Sequence, residues 1–531
     1  MADKKIVLVL NGGQEYIKHV GDDKETYAAQ TNRLFEAISE TYIPLLNLFE
    51  NLEKTEVPFK IALVLSPILC TLLEDRAVQD QYIDWLEKRI RLGQLEIERC
   101  KDNPKLLQNA KACFEKARNE KEYYENIDRK IVKKFHEFQK KGFVELLATC
   151  GTDIYLPHYN DMPEIMGAQV ETGIYAYRNY FGEIPEGFWL PELGYYPGVE
   201  KILKAYGMNY TILDARSFLF SEKEPVKGIF YPARFDNALV AFGRDSYSDA
   251  EIFSEEGFAS NTVYKAQNRD VGYELTSDQL EGYVKKGMPR FGFEYKYWKK
   301  GSIKQDAENI YDEEAAKEQC KKDAETFVSK RIQKINEAEK IIEDSDYVCL
   351  TVSVNLDNLR TKWAEGVDWI ENVIRQICSS EVKMDLPKTM VQNPFALQRI
   401  KPYFGSNSGS GYGEDLISNK NSWMMRYVRK ASERMVDLAN RFPTETGLKA
   451  RLLNLGAKEL MLAQSCGWAK MIENDEFPEY AETRFKQSII DFTAVFDALG
   501  SNTVSTEWLT KLEIEHQLFG WMNYRIFSKK I

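Results

Sequence analysis

Short, wholly apolar runs recur along the first two-thirds of this 531-residue chain. Between them lie longer stretches in which apolar positions return every three or four residues. Ile6-Val7-Leu8-Val9-Leu10 ends in the turn Asn11-Gly12-Gly13 and reads as a first buried strand. Thr31 to about Leu52 carries helical spacing, and Phe59–Leu65 is a second buried strand before Ser66-Pro67. Strand signals return at Val144–Thr149, Phe188–Leu190, Tyr210–Leu213, Leu239–Phe242 and Tyr347–Val354. Such alternation predicts an α/β fold built on a parallel sheet or barrel.

Two stretches break the alternation. From 76 to 141 charged residues dominate while apolar ones keep helical spacing; the pattern predicts a helical hairpin broken near Asp102-Asn103-Pro104, with its charges on a solvated face. After Phe404 comes Gly405-Ser406-Asn407-Ser408-Gly409-Ser410-Gly411, read as a flexible boundary. Beyond it, Asp415 to Lys529 reads as helices throughout, and no internal repeat is found.

A net charge of −11 speaks against general nucleic-acid binding, which needs a basic surface. No apolar run reaches the eighteen residues of a membrane span, and the first strand is too short for a signal peptide. The eight cysteines are scattered without a CxxC pair, as in reduced cytoplasmic proteins, and four histidines make a His-based metal centre improbable.

The run Gly187-Phe188-Trp189-Leu190-Pro191-Glu192-Leu193-Gly194-Tyr195-Tyr196-Pro197-Gly198 holds the candidate chemistry. Pro191 and the glycines end a strand and turn the chain into a helix from Gly198. Glu192 therefore falls on the strand-to-helix edge where parallel α/β folds bind ligands. Trp189, Tyr195 and Tyr196 around one carboxylate suit a sugar site. The same residues also suit a helix cap surrounded by core aromatics.

Phe188–Glu192 with Tyr195-Tyr196-Pro197-Gly198 resembles the nucleophile motif of glycoside hydrolase family 57. The resemblance extends to Leu34–Leu46, Ala241–Asp245, Ser254–Gly257, Arg269–Tyr273 and Leu462–Ser465 with Trp468. It is nearest the branch of 1,4-α-glucan branching enzymes and α-amylase-like proteins. It implies an incomplete (β/α)7 barrel, with its first part at 1–75, a helical insertion at 76–141, and its second part at 142–404 with long loop insertions near 221–345. An all-helical C-terminal domain at 405–531 completes the arrangement. It also implies a retaining mechanism on α-1,4-glucan or maltooligosaccharide, with two carboxyl groups about 5 Å apart and no metal or organic cofactor. Trp189, Tyr195, Tyr196, Arg216, Trp363 and Trp468 become substrate-binding candidates, the aromatic ones equally readable as core.

Several site positions depart from the family pattern. Glu192 stands at the nucleophile, but Asn355 stands where the acid/base Asp belongs. An amide cannot protonate a leaving oxygen, and losing general-acid help costs about 10²–10⁴ in rate. The family's histidines fall on Asn11-Gly12-Gly13, Asp153, Arg216 and Thr361. Its Ser-Asp-Trp reads Cys466-Gly467-Trp468, and a loop Trp falls near Asn407. The expectation is a pseudoenzyme: a kept scaffold with a dismantled site that binds α-glucan or a protein partner of unknown identity. One alternative is an active retaining branching enzyme or α-glucanotransferase with a relocated acid, Asp357 or Asp153. The other is a structural interaction module in which Glu192 is a buried, hydrogen-bonded relic.

Overall fold

The computed structural model describes residues 2–529 apart from Val20, Asp344, Asn502 and Val504. Strand β1 (Asp3–Gly12) lies between β2 (Ile61–Leu65) and β8 (Tyr347–Asn355), and β3 (Val144–Leu147) extends the sheet beyond β2, all parallel. A second sheet runs β4 (Gly187–Phe188), β5 (Tyr210–Leu213) and β7 (Val240–Gly243), again parallel. Two-residue pieces complete the sheets: β6 (Ala233–Arg234), antiparallel to β7, and β9 (Lys383–Met384), beside β1. Isolated parallel bridges, Ala148 to Phe188 and Arg244 to Thr351, join the two sheets at both ends.

The strands are apolar along both faces because both faces are covered. Alternation sends Val7 and Val9 of β1 into an inner cluster with Ala62, Val64, Ile212 and Phe242. Ile6, Leu8 and Leu10 go to the outer cluster under the helices. All these strands except the antiparallel β6 point their carboxyl ends to one edge. The register there pairs Asn11 with Asn355 and Gly12 with Leu65. At that edge Gly173, in the helix Pro163–Phe181, runs so close to the strand end that a Cβ would lie 1.7 Å from the Thr149 carbonyl oxygen.

The helix expected from Thr31 to Leu52 is interrupted: Ala28–Ala37 and Ile43–Lys54 are joined by a π-turn, Ile38–Tyr42. The charged stretch forms helices Arg76–Arg99 and Pro104–Asn126. Each starts on a side-chain cap, Asp75 accepting from the Val78 N–H and Asn103 from the Leu106 N–H, with Pro104 at the first helical position. The C-terminal region is helical, with Trp423–Arg441, Gly447–Ala463, Gly467–Glu473, Pro478–Ser501 and Thr506–Glu515.

The Ser/Gly run is not a flexible boundary. Ser406 and Ser408 are buried, and the Ser408 hydroxyl donates to Asp415. The Asn407 N–H donates to the Glu192 carbonyl oxygen at 2.9 Å. Small polar residues let this loop pack into the strand-end edge and bond to it.

Candidate active site

Glu192 follows β4 in a tight turn, Pro191–Leu193. Its φ of 54° and that of Leu193, 48°, lie in the left-handed region, which side chains with a Cβ adopt at a cost of about 1–3 kcal/mol. Neighbouring backbone holds the turn: Tyr195 and Gly405 exchange hydrogen bonds, and Asn407 donates to Glu192 itself. The strained turn presents the carboxylate to a cleft above the strand ends.

The Glu192 carboxylate is ion-paired with the Lys470 ammonium. Lys470 lies on the helix Gly467–Glu473, which crosses the open edge. Asp153 and Cys466 complete a cluster: one oxygen of each carboxylate and the Cys466 sulfur all lie within 4.8 Å of one another. The Cys466 N–H also donates to the Asp153 carbonyl oxygen at 2.7 Å. Burial, then the charge of Glu192, pushes the Asp153 carboxyl up to about 6. Burial opposes a charged Lys470, but Glu192, Cys466 and Asp153 together hold it above the usual lysine range. The Cys466 thiol is pushed well up, first by burial and then by Asp153.

Asn355 ends β8 and caps the next helix, Leu356–Lys362. Its Oδ1 accepts from the Asp357 N–H at 2.9 Å and the Asn358 N–H at 3.1 Å. Asp357 bonds Arg360 at 2.8 Å and lies 4.0 Å from Arg33. Burial would raise its carboxyl, yet Arg360 and Arg33 outweigh it and hold it below the usual range, the opposite of what a proton donor needs.

These groups line two adjoining chambers. The inner one, about 100 Å³, is walled by Glu192, Asp153, Lys470, Asn355, Glu15 and Trp189 among others. The outer one, about 480 Å³, shares Glu192, Trp189, Asn355 and Lys470 and adds Arg33, Asp249, Asn407 and Glu476. Ligand pockets usually fall in the range of about 300–1,000 Å³, so only the outer chamber has room for sugar rings.

The structure separates the sequence-derived candidates. Glu192, Asn355, Asp357 and Trp189 face one cleft. Tyr195 is buried beside it with its hydroxyl on Glu200 at 3.0 Å, and Tyr196 is partly exposed against Phe404. Trp363 and Trp468 are core residues: Trp363 packs on Tyr264 and Trp369, and the Trp468 indole donates to the Leu462 carbonyl. Arg216 lies outside both chambers and donates to the Ser410 carbonyl, because its long side chain spans to the Ser/Gly loop. Lys470, Arg33 and Glu15 were not singled out from the sequence. Gly467 makes room for Glu15: a Cβ there would lie 2.5 Å from the Glu15 carboxylate.

A model of glycosyl hydrolase family 57 matches residues 7–344. The chain belongs to this family. A second model, 1,4-alpha-glucan branching enzyme, C-terminal, matches residues 427–527. Among relatives, the 1,4-alpha-glucan branching enzyme TK1436 of Thermococcus kodakarensis is 25% identical over 478 residues, which are 85% of this chain and 68% of that one. Among solved structures, the alpha-amylase AmyC of Thermotoga maritima superposes with a TM-score of 0.91 at 26% identity, covering 100% of both chains. The family 57 branching enzyme of Pyrococcus horikoshii superposes with a TM-score of 0.86 at 21% identity, covering 99% of this chain and 97% of that one. Among the described residues, no helix is long and apolar enough to cross a membrane.

Proposed function

We propose that this family 57 protein binds α-1,4-glucan in the outer chamber and is catalytically impaired. One observation carries the reading: opposite Glu192, at the end of β8, stands an amide whose oxygen is already committed to two backbone N–H groups. It has no acidic proton to give, and the space a leaving oxygen needs is cut to about 100 Å³ with Lys470 bonded to Glu192. Two-sided bridging of the parallel strands, at Ala148 with Phe188 and at Arg244 with Thr351, supports an incomplete (β/α)7 barrel beneath the site. The relative named as a 1,4-alpha-glucan branching enzyme suggests the substrate class.

Asp153 favours a second reading. It lies within 4.8 Å of Glu192, near retaining-glycosidase spacing, and its raised pKa of about 6 would suit a proton donor. The experiment that separates the readings is incubation of purified protein with amylose, with product analysis, beside calorimetric titration with maltotetraose. The first reading expects saturable binding and no chain cleavage or transfer. Turnover that disappears in both Glu192→Gln and Asp153→Asn would establish the second and remove the first.

A further inference from the structure

We propose that a cavity separate from the two Glu192 chambers is a second binding site for a neutral oligosaccharide. It lies between the helix Ala28–Ala37, the helix Arg76–Arg99 and the loop 277–291, and measures about 760 Å³. None of its lining residues lines either chamber beside Glu192. Its volume falls in the usual range for ligand sites, about 300–1,000 Å³.

The chemistry of the walls selects the ligand. The floor is apolar and aromatic: Phe35, Trp85 and Phe291 are buried, and Tyr283 is partly exposed. The loop that walls one side is pinned by Arg290, which donates to the Leu275 carbonyl at 2.6 Å, and by the Lys285–Glu25 pair at 3.0 Å. The rest of the rim carries six charged groups: Lys24, Lys88 and Lys286 against Asp84, Asp278 and Glu281. Among the described residues, none of the six is in an ion pair within the protein.

With the Lys285–Glu25 pair and Arg290 counted, the walls carry five cations and four anions, so both signs face the cavity. A phosphate or carboxylate would meet Glu25, Asp84, Asp278 and Glu281, and a cation would meet the lysines and Arg290, so an ion of either sign faces like charges. An alkyl chain would strip water from charged groups without bonding them. Sugar hydroxyls both donate to carboxylates and accept from ammonium groups, so a neutral polyol satisfies both signs. The apolar C–H face of a sugar ring suits the partly exposed Tyr283 ring. This site is argued from its own walls and takes only its probe, maltotetraose, from the reading of the Glu192 chamber.

The test is calorimetric titration of the full chain with maltotetraose, comparing wild type with Ala28→Trp, which plugs this cavity, and Tyr283→Ala, which removes its partly exposed ring. Ser254→Trp, at the exposed lip of the outer chamber, is the control. The wild type is expected to bind two ligands per chain. Ala28→Trp should weaken one of the two sites at least about tenfold, Tyr283→Ala should weaken the same site, and Ser254→Trp should weaken only the other. Unfolding midpoints of the variants establish that they fold; should Ala28→Trp fail to, Tyr283→Ala decides. A single site unaffected by both cavity variants and lost in Ser254→Trp overturns this inference and leaves the chamber reading standing. A single site lost in the cavity variants and untouched by Ser254→Trp does the reverse. Absence of any binding overturns both.

Discussion

Asp153 occupies a position a free carboxylate would avoid: half-buried, beside a second carboxylate and a buried thiol. Its folded pKa is about 6 against an ordinary 3.8. Between those values the native state holds a proton that the unfolded state has released, so stability falls as pH rises through that window and is fully lost above about 6. Asp153→Asn removes the titration, so the variant should gain on wild type as pH goes from 4 to 7. Urea unfolding at several pH values checks this, and a difference that does not change with pH would contradict the assignment. Lys470 is the other half of the arrangement, because its ammonium is what lets Glu192 and Asp153 share one pocket. Lys470→Met leaves two half-buried carboxylates without a cation and should destabilise the protein, by less than the about 3–5 kcal/mol that follows when a fully buried pair loses one partner.

At the level of elements, the junction of β8 with the helix Leu356–Lys362 makes Asn355 a structural residue. Ala at this position loses both cap bonds and should destabilise the protein by about 1 kcal/mol. Asp caps as well as Asn, so Asn355→Asp should keep wild-type stability. It should also remain without turnover on amylose, since the Lys470–Glu192 pair and the narrow inner chamber persist. Glycosyl transfer in Asn355→Asp would show that the acid alone was missing. The strand ending at Asn355 was legible because Tyr347–Val354 is a mostly apolar run, rich in Val and broken only by Thr351 and Ser353, that stops at Asn355. Glu192 was legible because Pro191 and Gly194 mark the strand end. The hairpin break at Asn103-Pro104 was legible for the same reason: caps and prolines act through local backbone geometry. Lys470 was not. Four residues after Cys466, it reads as an ordinary helical lysine, and only the crossing of Gly467–Glu473 over the strand ends brings it to Glu192. Trp363 and Trp468 were ambiguous because an indole has the same composition in a cleft and in a core. The Ser/Gly loop misled because small polar residues serve both flexible linkers and close packing.

Across the whole molecule, buried polar bonds tie the C-terminal helices to the sheet. Gln169 bonds Gln464 at 2.8 Å, Thr152 donates to the Met461 carbonyl at 2.9 Å, and Lys18 bonds Asp75 and Gln517. His19 belongs to this seam, with Nδ1 on the Thr31 hydroxyl at 2.8 Å and Nε2 on the Tyr480 hydroxyl at 2.9 Å. Burial, then the nearby Arg484 charge, lowers its pKa from 6.5 to about 3. Below 6.5 the unfolded chain takes up a proton that the native imidazole refuses until about pH 3, so stability falls as pH drops through that interval. At pH 4 the loss amounts to roughly 3 kcal/mol. It runs opposite in sign to the effect of Asp153, so each needs its own variant. His19→Gln keeps hydrogen-bonding capacity without the titration. Its stability at pH 7 should lie below that of wild type, because the side chain fits the seam less well, and the gap should close as pH approaches 4. Because the seam joins the C-terminal helices to the sheet, acid should loosen that junction first, and hydrogen exchange at pH 4 should rise in Pro478–Ser501 before it rises in β1. Uniform exchange in both elements, or a gap between wild type and His19→Gln that stays constant with pH, would mean that the junction does not govern acid stability.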